Sequence, residues 1–89
     1  MTTLFVRHQV TDYDKWRQVY DKFGPTQQAL GVQEQAVYQT IDNPKEVTVR
    51  HEFATLAAAQ AFGSSAELGA AMHDAGVVGA PSVWFTTRL

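Results

Sequence analysis

Two copies of one tripeptide carry the side chains best suited to chemistry in this chain. Val6-Arg7-His8 returns 43 positions later as Val49-Arg50-His51. An imidazole with an ordinary pKa near about 6.5 is neutral for much of the physiological range and accepts a proton from a phenol or an acidic C–H. His8 and His51 are therefore the candidate acid–base residues. Trp16, Tyr20 and Tyr13 offer flat faces on which a ligand can stack, while His73 and Met72 follow later in the chain as further binding candidates.

Other chemistries find less support. The chain has no cysteine, no Gly-x-Ser-x-Gly elbow and no phosphate-cradling glycine loop, since the Gly76 to Gly79 run lacks a lysine. Imidazole suits zinc or iron, but nothing in the spacing of His8, His51 and His73 demands an ion. No metal and no cofactor are expected. The plain alternative is that both strand histidines are hydrogen-bonded core residues.

The residues flanking each tripeptide show what must position it. Phe5-Val6-Arg7-His8-Gln9-Val10 and Thr48-Val49-Arg50-His51-Glu52-Phe53 end alike in an apolar residue. Downstream, Asp12-Tyr13 matches Thr55-Leu56, and Val19 matches Phe62. Each copy reads as a strand feeding a helix. Alternation predicts a first strand over 4–10. Asp12 then caps a helix with the apolar stripe Tyr13, Trp16, Val19, Tyr20 and Phe23, ending at Gly24-Pro25. A turn or two of helix resumes before Gly31.

A second strand is expected over 33–41 at a sheet edge, a turn over 42–45, and a third strand over 46–53. Thr55 caps an alanine-rich helix, Ser65 opens another reaching His73 or Asp74, and a loop over 76–81 leads to a last strand from Ser82 to Leu89. The order is β-α-β-β-α-β, an α+β ferredoxin-like fold with a four-stranded antiparallel sheet and helices on one face. The two Val-Arg-His strands are expected at its centre, side by side and parallel.

Leu4, Val6, His8 and Val10, with Val47, Val49, His51, Phe53, Val83 and Phe85, form the more apolar parity and are assigned to the helix side. A register error would turn both histidines to the other face. The small residues Ala57 to Ala61 are expected to leave room for a pocket. The opposite face carries Phe5, Arg7, Arg50, Trp84 and Arg88 beside Glu52, and aromatics exposed with charge suggest an interface. At 89 residues and without disulfides, one domain spanning 1–89 would gain stability from a homodimer through that face. Seven scattered Lys and Arg against nine Asp and Glu argue against nucleic acid or an anionic membrane as partner. No signal peptide or spanning run is apparent, so the expected location is cytoplasmic.

The element order, the length and the segment Val6-Arg7-His8-Gln9-Val10-Thr11-Asp12-Tyr13-Asp14-Lys15-Trp16 resemble the dimeric α/β-barrel superfamily, in particular small proteins like the antibiotic biosynthesis monooxygenases. The resemblance covers essentially the whole chain, by pattern more than by catalytic motif. It implies a homodimer whose sheets close a barrel, with a small-molecule cavity between each protomer's own helices and sheet. It also implies cofactor-free oxidation, or cyclisation or isomerisation, of an aromatic or polyketide-type substrate, with His8 or His51 as base and Trp16 or Tyr20 stacking the rings. A non-catalytic homodimeric ligand-binding or interaction module is the alternative. Characterised members place an asparagine in the pocket, whereas the only one here, Asn43, is expected in a turn. A haem-degrading branch uses a histidine placed like His73, but pairs it with a first-strand asparagine where this chain has His8, and with a tryptophan absent from 54–80.

Overall fold

The computed structural model describes Met1–Leu89. Its elements are β1 (Thr2–Val10), α1 (Tyr13–Ala29), β2 (Glu34–Thr40), β3 (Asn43–Phe53), α2 (Leu56–Gly63), α3 (Ala66–Asp74) and β4 (Val77–Thr87). The four strands lie in the order β2-β3-β1-β4, and every neighbouring pair is antiparallel. The ferredoxin-like sheet expected from the sequence is present. Its two central strands are not parallel, however. The α1 crossover returns β2 in the direction of β1 but one strand away, and β3 fills the gap from the hairpin, so it opposes both.

This direction gives the sequence repeat a geometric meaning. Val6 faces Val49 in the β1–β3 register, and these two valines are also repeat mates. A local pseudo-twofold therefore passes between them. His8 faces Val47 and His51 faces Leu4. The histidines lie on either side of the valine pair, about 13 Å apart along the strands at about 3.3 Å per residue.

Asp12 caps α1 by accepting from the Asp14 amide at 3.0 Å. The helix then runs unbroken through Gly24-Pro25 to Ala29, against the expected stop. Pro25 forfeits one backbone bond, but Gly24 has no Cβ to clash with the proline ring, and the apolar stripe continues to pack. The stop lies at Gly31, whose φ of 100° suits a residue just past a helix end. The Gly31 amide donates to Gln28 O at 3.1 Å and the Val32 amide to Gln27 O at 3.0 Å, completing a Schellman motif. Thr55 and Ser65 cap α2 and α3 as expected, accepting from Ala58 and Leu68 amides.

The hairpin turn is tighter than expected. Thr40 pairs with Asn43, so β3 starts ahead of Glu46 and absorbs Pro44 beside a register shift. The segment 76–81 is mostly strand rather than loop. Between the Arg7–Ser82 and Gln9–Val78 pairs, β4 bulges opposite His8, where Gly79 takes a φ of 72° and Pro81 needs no partner for an amide.

The parity assignment holds for the central strands. Leu4, Val6, Val10, Val47, Val49 and Phe53 are all buried beneath the helices. The core has two parts. Leu4, Val6, Phe53, Ala59, Phe62 and Leu68 gather under α2, while Val10, Trp16, Tyr20, Val47 and Val49 gather under α1. The helix layer covers β4 only in part, and Val83 and Phe85 stay about 40% exposed (43% and 40%) despite their inward parity.

Gly76 joins α3 to β4 under tight constraint. Its φ is 78°, a Cβ there would lie 2.7 Å from Thr11 Oγ1, and its carbonyl accepts the Thr11 amide at 3.1 Å. Gly76→Ala is expected to cost about 1–3 kcal/mol from backbone strain and the clash. Urea denaturation checks this. The double variant with Thr11→Ala should recover only the clash, because the strain at residue 76 remains.

Candidate functional site

The stripe on α1 turns Trp16, Val19, Tyr20 and Phe23 toward the sheet, and α3 contributes Leu68, Ala71, Met72 and the following Ala75. Together with Val6, His8, Val49 and His51 they line an apolar pocket that opens to solvent. The space open to a water-sized sphere is about 30 Å³, within about 400 Å³ of unfilled space that includes open solvent. That inner volume suits one or two waters. Over the mouth, a groove of about 480 Å³ between α1 and α3 shares Val19, Phe23 and Ala71 with the cavity wall. Lys22, Glu67 and Asp74 also line this groove.

His8 is 7% exposed, and neither Nδ1 nor Nε2 has a hydrogen-bond partner. The indole of Trp16 stands 5.7 Å away, centroid to centroid, at a 60° tilt. Burial pushes the His8 pKa down from 6.5 to about 4, so the ring is neutral at pH 7. His51 is 3% exposed and packs on Phe62 at 5.1 Å. Its Nδ1 lies 3.4 Å from Leu4 O, a long contact that favours a proton on Nδ1 and leaves Nε2 with the lone pair. Burial lowers its pKa to about 4, the Leu4 carbonyl opposes the shift, and repulsion from His8 adds to it.

The pseudo-twofold is therefore broken at the side chains. His51 finds a backbone acceptor, while His8, beside the β4 bulge, does not. An unpaired buried polar group costs about 1–3 kcal/mol, and a ligand hydroxyl is one way to satisfy it.

The structure brings His8, His51, Trp16, Tyr20 and Met72 around one cavity. Tyr13 does not reach the wall but stacks behind Trp16 at 5.8 Å, and Trp16 stacks on Tyr20 at 4.9 Å. The Tyr20 hydroxyl donates to Gln35 Oε1. Its pKa is raised, chiefly by burial, with Gln27 and Arg17 opposing. His73 is exposed and does not line the cavity. Leu68, Met72 and Ala75 face inward at helical spacing, and His73 lies one residue, about 100°, off that line. The room expected beneath the alanines of α2 is absent. Ala59 is fully buried, Phe62 fills the space, and Ala57 and Ala61 face solvent.

Sequence reasoning passed over Leu68, Ala71 and Ala75, which lack a chemical signature, and Gln27, which has one. Gln27 continues the 16, 20, 23 stripe and is 2% exposed. The supposed stop at Pro25 concealed it. No group of three His, Cys, Asp or Glu side chains is placed to hold a metal ion, and no helix is long and apolar enough to cross a membrane.

No protein-family model matches the chain, and no curated protein matches it by sequence. Solved structures do match by fold. A structure of an antibiotic biosynthesis monooxygenase superposes with a TM-score of 0.76 at 10% identity, covering 100% of this chain and 99% of the other. SnoaB, a cofactor-independent oxygenase from Streptomyces nogalater, gives 0.80 at 10% identity, covering 99% and 92%. A protein of unknown function from Nitrosomonas europaea gives 0.75 at 20% identity, covering 99% and 88%. At these identities the likeness is one of architecture: the chain has the ferredoxin-like fold of antibiotic biosynthesis monooxygenase structures.

Proposed function

We propose that this protein is a cofactor-independent acid–base enzyme acting on an aromatic or polyketide-type small molecule, with oxygenation or cyclisation following proton removal. The observation that carries this reading is His8, buried in an apolar wall with both ring nitrogens unpartnered. A substrate hydroxyl would donate to His8 while its ring lies against Trp16. His51, its Nδ1 proton directed to Leu4 O, would offer Nε2 as a second acceptor. In the free protein these imidazoles are weak bases. Their basicity rises as substrate anion forms beside them, because an opposite charge at close range offsets the burial. The carbanion form of the anion then either bonds to dioxygen, the peroxide taking the proton back from the imidazolium and losing water to leave a quinone-type carbonyl, or adds to a carbonyl of the same molecule, whose alkoxide takes the proton back. SnoaB supports the oxygen branch by fold only.

The test is oxygen uptake and product formation across a panel of phenolic and polyketide-type aromatics, with an anaerobic arm to separate the two branches. His8→Ala is expected to lower turnover by about 10²–10⁴-fold. His8→Leu should lose activity without losing stability, because it removes a polar group that has no partner. Unchanged turnover in both His8 and His51 variants would sink the reading. The acid limb gives a further expectation. With folded pKa values of about 4, kcat/KM should stay level as pH falls from 8 to about 5. A decline centred near about 6.5 would instead indicate a solvated histidine.

The same domain, 1–89, is proposed to work as a homodimer through the open face of the sheet. Phe5 stacks on Trp84 at 5.3 Å and 15°, and the Arg7 guanidinium lies 5.7 Å from the Trp84 ring centroid. Tyr38 and Val78 extend this exposed apolar surface on the same face. Arg50 is already paired with Glu34 and Glu52, each at 3.2 Å, whereas Arg7 has no acidic partner within its own protomer and rests over Trp84.

A further inference from the structure

A second cleft, which the reading above does not use, lies between the C-terminal half of α1 and the start of β2. It measures about 360 Å³, and Gln27, Gln28, Gln33, Glu34 and Gln35 give it a polar wall with a single apolar member. Glu34 is its one charged group and is engaged by Arg50 at 3.2 Å. No cation lines the cleft to hold an anion, and its one carboxylate already carries Arg50 on Oε1. The cleft suits a neutral, hydrogen-bonding ligand.

Gln27 distinguishes this cleft from an ordinary surface depression. It is 2% exposed, and both Nε2 and Oε1 lack a hydrogen-bond partner. The amide lies near enough to the Tyr20 phenol to influence its ionisation, yet makes no properly formed bond to it. The phenol is committed to Gln35 Oε1. An apolar side chain would serve packing better at this point of the helical stripe. Since neither polar atom of the amide is satisfied where it lies, turning it outward gives up only its contact with the Tyr20 phenol.

We propose that this cleft binds a neutral ligand through a cis-amide edge, a carbonyl and an N–H side by side as in a lactam, imide or ureide, with Gln27 turning to meet it. The Gln27 nitrogen donates to the ligand carbonyl and its oxygen accepts the ligand N–H, closing a two-bond ring that an amide side chain is built to make. The NH₂ group of Gln35 supplies a further donor on the same wall.

The test is binding rather than turnover, so it stands apart from the catalytic reading. Side-chain amide resonances of the ¹⁵N-labelled protein would be followed through a millimolar titration with 2-pyrrolidone, and with N-methyl-2-pyrrolidone as the probe lacking the N–H. Saturable shifts of the Gln27 and Gln35 NH₂ groups are expected with 2-pyrrolidone. Affinity should be about tenfold weaker for the methylated probe, a difference of one hydrogen bond. Gln27→Met should abolish the response with no fall in melting temperature, and His8→Leu should leave it intact. Absence of saturable shifts, equal binding of the two probes, or persistence of binding in Gln27→Met would overturn the proposal. A marked loss of stability in Gln27→Met would also do so, by showing that the buried amide already has a structural partner.

Discussion

Between pH 6.5 and pH 4 the protein is expected to lose several kcal/mol of stability, without help from its carboxylates. Burial lowers the pKa of both His8 and His51 from 6.5 to about 4. Above 6.5 the imidazoles are neutral in the folded and unfolded chains alike, and they contribute no pH dependence. As the pH falls below 6.5 the unfolded chain takes up two protons that the folded chain refuses, so stability declines. The decline ends as the pH passes the folded values near 4. Each imidazole contributes roughly 3 kcal/mol across that window.

Small domains hold only about 5–15 kcal/mol, so the folded state should fail at mild acidity, near about pH 4–5. No acidic side chain lines the cavity to stabilise an imidazolium there. Urea midpoints measured from pH 7.5 to 4.5 would show the fall, and the double variant His8→Leu/His51→Met should remove most of it. A wild-type midpoint level across this range would mean that the imidazoles reach water in the folded state, and their burial in the pocket wall would then be wrong.

The second large effect concerns assembly. At micromolar concentration light scattering is expected to report twice the 9.9 kDa protomer mass. Trp84→Arg or Phe5→Asp should reduce it to the protomer mass. At a twofold interface each substitution enters twice, and Trp84→Arg sets a second guanidinium beside Arg7 in both copies. Leaving one unpaired charge in a desolvated interface costs about 3–5 kcal/mol, so dissociation should rise by more than about 10³-fold. The melting temperature should fall as well, since association and folding are linked. A wild-type protomer mass at that concentration would refute the dimer.

The sheet parity was legible because, Phe5 apart, Leu4 to Val10 and Val47 to Phe53 alternate between apolar or imidazole and polar side chains, and a buried face tolerates no slip. From that parity came His8, His51 and Trp16 around one space. Strand direction was less legible. The repeat identifies the central strands, but the crossover decides which way they run. Pro25 misled for a different reason: the local rule is sound, yet Gly24 relieves the clash and packing of the α1 stripe outweighs one lost hydrogen bond. The start of β4 was hidden because Gly79 and Pro81 read as loop residues until a bulge gives them a place. His73 required a helical phase that only the packed positions of Leu68 and Met72 establish.

The strand order also bears on how the chain is made. β1 is synthesised first, yet it lies in the interior of the sheet between β3 and β4, which ends at Thr87. Its partner on one side does not exist until the chain has been extended from Val10 to Thr87, and at about 5–20 residues per second that takes several seconds on the ribosome. Throughout this interval Leu4, Val6 and Val10 have no complete sheet to enter, and one long edge of β1 stays open to other chains. Chaperone demand should therefore concentrate on nascent β1, and a nascent chain whose β4 has not left the ribosome should be a far better chaperone substrate than one whose β4 has emerged.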